Sequence, residues 1–264
     1  MKYSMCADIM FVARGEHGPL WPDTEGIGKA MELAKKNGLS GIEFFDFEGR
    51  DLQAIAKKSE ETGVDVVAFC QKNGKLLGTP GKIDDFIEGF KESVDAAKAL
   101  KTRNLIVSDD FYPRDAARED VHNAMVEGLK KLAPLAEEAG ITILVEPLSG
   151  SYFRDAAEPF EIIREVGSSN IRILYDIFHF QQFAGNITNT IKENLDLIGH
   201  IHGAGVPARC ELSEGEVDYR FVLKELKELG YDRYFGLEFF TFTDRDEKVR
   251  KSAELIMDAV GAEA

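Results

Sequence analysis

Eight times along this chain a short, β-rich apolar run gives way to a longer stretch with helical periodicity. That alternation limits the fold more than any other feature. The expected strands are Lys2–Cys6, Leu39–Phe44, Val64–Phe69, Asn104–Val107, Thr142–Glu146, Ile171–Asp176, Ile198–His202 and Tyr234–Glu238. The expected helices begin at Thr24, read as a cap, and run to about Asn37, then Asp51–Thr62, Ile83–Leu100, Arg114–Ala139, Ala157–Val166, Ile187–Leu195, Tyr219–Leu229 and Asp244–Val260. Gly38, Gly63, Gly140 and Gly230 each close a helix shortly before a strand. No Ser/Pro-rich tract, like-charge block or low-complexity segment interrupts the series, so the expectation is one α/β domain spanning 1–264, a (β/α)8 TIM barrel. The competing arrangement is a doubly wound open sheet. It carries a Gly-rich phosphate turn after its first strand, and no GxGxxG or Walker motif follows Lys2–Cys6.

Composition narrows the partners. A hydrophobic content of 44% over 264 residues suffices for one large core, and a formal charge of −15 opposes binding to the phosphate backbone of a nucleic acid. The three cysteines, Cys6, Cys70 and Cys210, form neither a CxxC site nor a disulfide framework, which fits a reducing cytoplasm. The N-terminal MKYSMCADIMF lacks the apolar core of a signal peptide, and no run approaches the ~18 apolar residues of a membrane span. A cytoplasmic, soluble protein with no nucleic-acid or membrane partner is expected.

The expected site lies at the strand ends. In a barrel the C-terminal ends of the strands build the site. Here four consecutive strands finish on Glu146, Asp176, His202 and Glu238. Each has an ordinary alternative: Glu146 solvated before Pro147, Asp176 a helix cap, His202 a core histidine, Glu238 a lysine partner. Four metal-competent side chains at one level favour a shared divalent ion. Three carboxylates and one imidazole suit Mn²⁺ or Mg²⁺, with Co²⁺ possible. Such an ion can polarise a carbonyl and stabilise an enediolate. Glu146 and Glu238, the outer members of the set, are the candidate acid/base pair.

Further candidates surround this set. His179, placed in a loop above Asp176, and Arg209, the one cation expected near the metal, are candidate substrate contacts; a loop histidine and a surface arginine are the alternatives. Glu43 either lines the mouth as a substrate contact or is solvated, and His200 is expected to be structural. Trp21, Phe44, Phe45, Phe69 and Phe111 are expected in the core or pocket wall. Phe178, Phe180 and Phe183 mark either a dimer contact, and so a homo-oligomer, or a substrate lid.

The segments VEPLSGSYF, ILYDIFHFQQFAGNI, IGHIHGAGVPARCELSEGEVDYRFVLKEL and YFGLEFF resemble the hydroxypyruvate isomerase family. That family belongs with the xylose isomerase-like barrels, among which are the ketose 3-epimerases. The resemblance runs through most of the chain and is dense from about Leu144 to Phe239. It implies a divalent metal on Glu146, Asp176, the residue at position 202 and Glu238. It also implies acid/base roles for Glu146 and Glu238, and substrate contacts from His179 and Arg209. Two positions depart. The isomerases usually carry Gln where this chain has His202, whereas the epimerases carry His. Cys210-Glu211-Leu212 stands where the isomerases tend to show His-Glu-Pro.

The expected reaction is therefore carbonyl movement in a small, unphosphorylated carbohydrate or hydroxy-keto acid, of the hydroxypyruvate type. Ketose 3-epimerisation is the alternative, and dehydration of a keto-polyol a more distant one. A repair endonuclease on the same barrel wants many histidines and a basic groove, against five histidines and a charge of −15 here. A sugar-binding barrel without turnover is the non-enzymatic reading.

Overall fold

Parallel strands buried on both faces carry near-continuous apolar runs, and the computed structural model of this chain, which describes residues 1–110 and 112–261, shows that consequence directly. Its elements in order are β1 (Lys2–Cys6), α1 (Ala7–Phe11), β2 (Ala13–Gly15), β3 (Gly18–Leu20), α2 (Thr24–Lys36), β4 (Gly41–Phe44), α3 (Leu52–Thr62), β5 (Asp65–Cys70), α4 (Ile83–Leu100) and β6 (Asn104–Ser108). There follow α5 (Arg118–Ala139), β7 (Thr142–Glu146), α6 (Glu158–Val166), β8 (Ile171–Asp176), α7 (Ile177–Phe183), α8 (Ile187–Asn194), β9 (Ile198–Gly203), α9 (Tyr219–Glu228), β10 (Tyr234–Leu237) and α10 (Arg245–Val260). Eight of the strands form a closed barrel in the order β1-β10-β9-β8-β7-β6-β5-β4, with helices between them; β2 and β3 pair separately as a hairpin. This is the single (β/α)8 barrel expected from the alternation.

The chain divides into two compact units, Met1–Val67 with Ile201–Ala264, and Ala68–His200. In the first, β1 lies between β10 and β4, with Met5 opposite Leu237 and Ile42, and Cys6 opposite Glu43. β10 pairs in turn with β9, where Gly236 faces His202. In the second, β6 pairs with β7 along its whole length, bringing Ser108 opposite Glu146, and β7 pairs with β8. Leu105, Val107, Ile143, Leu144, Val145, Ile173 and Leu174 are buried there, each removing ~2 kcal/mol worth of apolar surface from water. Outside them α5 buries Leu129 and Leu132 completely; truncating either to Ala costs ~2–5 kcal/mol.

Local signals behave mostly as expected. Gly38, Gly63, Gly140 and Gly230 all have φ between 67° and 73°, the left-handed conformation that makes Gly the usual helix terminator. Thr24 is not the cap of its helix. Asp23 is, its carboxylate accepting from the Gly26 N–H at 2.9 Å, while the Thr24 hydroxyl accepts from the Asp51 N–H. A carboxylate interacts more favourably than a hydroxyl with the helix N-terminus. The long helix starts at Arg118 rather than Arg114. Two short helices, α1 and α7, and the β2–β3 hairpin carry no periodicity long enough to read. Phe44 and Phe69 are buried, but Trp21 is 48% exposed and meets Phe45 edge-on at 5.4 Å. Phe111 lies outside the described residues. Phe180 is fully buried and stacks on Tyr175 at 3.9 Å, so it belongs to the core and to neither a lid nor a dimer contact. No helix among the described residues is long and apolar enough to cross a membrane.

Candidate active site

The first unit assembles its polar residues around one imidazole. His202 comes from β9, is buried, and has a carboxylate at each ring nitrogen: Glu43 Oε2 lies 2.8 Å from Nε2 and Glu238 Oε2 lies 2.8 Å from Nδ1. Glu43 does not reach a solvent-facing mouth. It is 1% exposed, and its second oxygen accepts a hydrogen bond from the Ser4 hydroxyl at 2.6 Å. The Ser4–Glu43 pair orients the ring: with the Nε2–H given to Glu43, Nδ1 carries the lone pair, 2.8 Å from Glu238 Oε2 but out of hydrogen-bonding alignment with it. A lone pair and a carboxylate oxygen at 2.8 Å repel unless a positive charge lies between or beside them.

Glu238 follows β10, its N–H bonded to the Gly203 carbonyl at 3.1 Å. Arg209 holds it, with Nη2 2.7 Å from the same Oε2 and Nε donating to the Glu238 carbonyl at 3.2 Å. Arg209 has φ 50°, a left-handed conformation costing ~1 kcal/mol or more in a non-glycine residue. Its carbonyl accepts from the Phe240 N–H at 2.9 Å, and the neighbouring Gly205–Cys210 bridge closes the turn. The guanidinium, the expected substrate contact, thus also meets a glutamate of the site. Cys6, at the end of β1, is buried; desolvation foremost, then the nearby negative charges of Glu238, Asp8 and Glu43, push its thiol well above the ordinary range. That cysteine is a packing residue and not a nucleophile.

The second unit contributes Glu146, the last residue of β7, and Asp176, the last of β8. The two readings of Asp176 prove compatible: Oδ1 caps α7 by accepting from the Phe178 N–H at 2.8 Å. His179 is on α7 rather than in a loop, and is buried. The Ser149 N–H donates to its Nδ1 at 3.1 Å, with the Ser149 hydroxyl 3.0 Å from the same atom. A backbone N–H only donates, so Nδ1 is the acceptor and the neutral ring carries its proton on Nε2, 3.5 Å from Asp176 Oδ2. Sequence reasoning missed Ser149 and Ser4, whose roles depend on pairings across 30 and 39 residues.

Glu146, Asp176, His202 and Glu238 each offer one ligand atom, and these atoms lie within 4.8 Å of one another. A second group, Glu43, His200 and His202, satisfies the same spacing. In that group both Glu43 oxygens already accept hydrogen bonds, from Ser4 and His202, which suits an orienting layer better than a ligand set. The tetrad fits a hard divalent cation on its chemistry: three carboxylates gathered around one imidazole, with Arg209 on one of them, concentrate negative charge that a divalent ion balances.

Residues 31–259 match the model of the xylose isomerase-like TIM barrel family, and the chain belongs to that family. It is 27% identical over 232 residues to the hydroxypyruvate isomerase of Escherichia coli (strain K12), covering 83% of this chain and 90% of that one. It is 30% identical over 169 residues to the 2-oxo-tetronate isomerase of Cupriavidus necator, covering 62% and 65%. Among solved structures, an L-ribulose 3-epimerase superimposes with a TM-score of 0.84 at 18% identity, over 99% of this chain and 95% of that chain.

Proposed function

We propose that this protein is a divalent-metal-dependent isomerase of a small hydroxy-carbonyl acid of the hydroxypyruvate or 2-oxo-tetronate kind. The observation that carries the reading is the tetrad of three carboxylates and one imidazole within 4.8 Å. Its support is the similarity to relatives named as isomerases of those two acids. Glu146, Asp176, His202 and Glu238 would hold the ion, Mn²⁺ or Mg²⁺ by the hardness of the donors. When bound, that ion supplies Lewis-acid polarisation of the substrate's carbonyl and neighbouring hydroxyl.

The chain's own groups supply the proton transfers. A glutamate of the Glu146/Glu238 pair takes the proton from the hydroxyl-bearing carbon and returns it to the former carbonyl carbon, while the hydroxyl proton passes to the carbonyl oxygen. Glu238 has Oε2 engaged by Arg209, which fixes the direction of its carboxylate. His179, with its proton on Nε2, donates to the substrate oxygen as charge builds there. Glu43 acts as an orienting residue for His202, and Arg209 as one for Glu238.

His202 favours a second reading, ketose 3-epimerisation, in which Glu146 and Glu238 take and return a proton on opposite faces of one carbon. The metal-stripped protein, restored with Mn²⁺, is to be incubated with hydroxypyruvate, with 2-oxo-tetronate and with free ketohexoses. Turnover of an acid carries the first reading; turnover of sugars alone replaces it with the second. Glu146→Gln is expected to lower kcat by at least ~10²-fold with the fold unchanged by circular dichroism.

A further inference from the structure

Asp109 follows β6, one residue beyond the strand position paired with Glu146, and has no place in the chemistry above. It is fully buried. Its Oδ2 accepts the Tyr152 N–H at 2.8 Å, and Oδ1, also buried, meets no donor in hydrogen-bonding geometry. An acid kept away from water with half its carboxyl unsatisfied is costly, so its placement calls for a reason.

The reason lies in the segment it holds. Between Glu146, which ends β7, and Tyr152 there are only five residues, and the first is Pro147. Both ends are fixed. At the far end Tyr152 is held three ways: its N–H by Asp109, its carbonyl by Arg118 Nη1 at 2.8 Å, and its ring beneath the Arg118 guanidinium at 4.2 Å. Arg118 is itself anchored on Glu158 at 2.5 Å. Within the segment the Ser151 hydroxyl and N–H close a turn on the Leu148 carbonyl, and Gly150 takes φ 81°, which side-chain-bearing residues rarely adopt. That turn leaves Ser149 facing α7, with both its N–H and its hydroxyl at His179 Nδ1. Gln182, one turn along α7, reaches the same hydroxyl at 3.3 Å.

We propose that Asp109 is a positioning residue for His179: by holding the Tyr152 N–H it seats the 147–152 segment so that Ser149 fixes the imidazole with its Nε2 proton presented to the site. The seating is a statement about the protein alone. Its consequence for turnover rests on the proposed reading of His179 as the donor to substrate.

The test uses ¹⁵N-labelled protein. A scalar coupling across the Ser149 N–H···Nδ1 His179 hydrogen bond is expected in the unsubstituted protein and in Asp109→Asn, which keeps an acceptor for Tyr152. It is expected to vanish in Asp109→Leu, which keeps the shape and removes the acceptor. Persistence of the coupling in Asp109→Leu, or its absence from the unsubstituted protein, overturns the proposal. Should the leucine variant not fold, amide exchange in the unsubstituted protein decides: Ser149 and Tyr152 are expected to be protected within about threefold of each other, as parts of one opening unit. A Ser149 amide exchanging more than about tenfold faster than Tyr152 also overturns it. With hydroxypyruvate and Mn²⁺, Asp109→Leu is expected to lose ~10–10²-fold in kcat, partly recovered in Asp109→Asn. Loss of the coupling with kcat unchanged supports the seating and removes His179 from the reaction.

Discussion

Glu43 is an acid, buried and bonded on both oxygens, and it fixes the orientation of the His202 ring. Such outer partners of a metal-binding histidine typically contribute 10–100-fold in affinity. Glu43→Ala is therefore expected to weaken Mn²⁺ binding by ~10–100-fold in calorimetric titration, and an unchanged affinity would place His202 outside the ligand set. Asp109 gives a different residue-scale expectation. Burial, the dominant cause, raises its pKa from 3.8 to about 6, against the hydrogen bond from Tyr152 and the nearby donors of Ser151 and Leu148, which lower it. The folded state then holds the proton more tightly than the unfolded chain. Stability is undiminished below pH ~4, falls as pH rises through the window up to about 6, and above it carries the full cost of ~3 kcal/mol. Asp109→Asn, which does not ionise, is expected to unfold at higher urea concentration than the unsubstituted protein at pH 8. The difference should close at pH 4.

At the scale of elements, capping groups at the helix starts tie the barrel's loops together. Asp51 caps α3 by accepting from the Gln53 and Ala54 N–H groups, both at 3.0 Å, and its own N–H is bonded to Thr24 at the start of α2. Asp51→Ala should cost ~1 kcal/mol in equilibrium unfolding, with the denaturant slope unchanged because only local contacts are lost. Asp176 repeats the device with an added duty, since one oxygen caps α7 while the residue belongs to the tetrad. The seven-residue helix so anchored carries His179, which is buried.

At the scale of the whole molecule, an ion held as proposed by Glu146, Asp176, His202 and Glu238 would bind the folded chain and not the unfolded one. Mn²⁺ at ~100 times its Kd is expected to add ~2.7 kcal/mol, or a Tm increase of roughly 5–10 °C by differential scanning fluorimetry. Glu238→Gln should lose most of that increase, and an equal increase in the variant would move the ion elsewhere. The barrel itself was legible from residue pattern, because strand runs such as Ile143–Val145 and Gly-closed helices such as the one ending at Gly140 are local signals. Glu146 and Asp176 as strand ends were legible for the same reason, whereas β9 runs one residue past His202 and β10 stops one short of Glu238. Glu43 was not, because the chain within reach says nothing of a serine 39 residues earlier or a histidine 159 residues later. The bond from Arg209 to Glu238 was not legible, because it spans 29 residues and depends on a left-handed backbone at the arginine itself.

The Tyr219 hydroxyl, at the start of α9, donates to the Ala204 carbonyl at 2.7 Å and accepts from the Ala204 N–H at 2.9 Å, just where the chain leaves β9. Asp218 beside it caps the same helix through the Phe221 N–H. The 205–217 loop is thus clasped at its root, take-off point against landing point, before any residue along it is specified. Such a clasp fixes the two ends of the loop independently of its middle, so an exposed stretch of it can change in sequence, whereas Arg209, which reaches Glu238 from the same loop, and the buried Glu211 and Leu212 cannot. Under the proposed function, substitutions along that exposed stretch would change what the loop offers a substrate while Arg209 keeps its hold on Glu238.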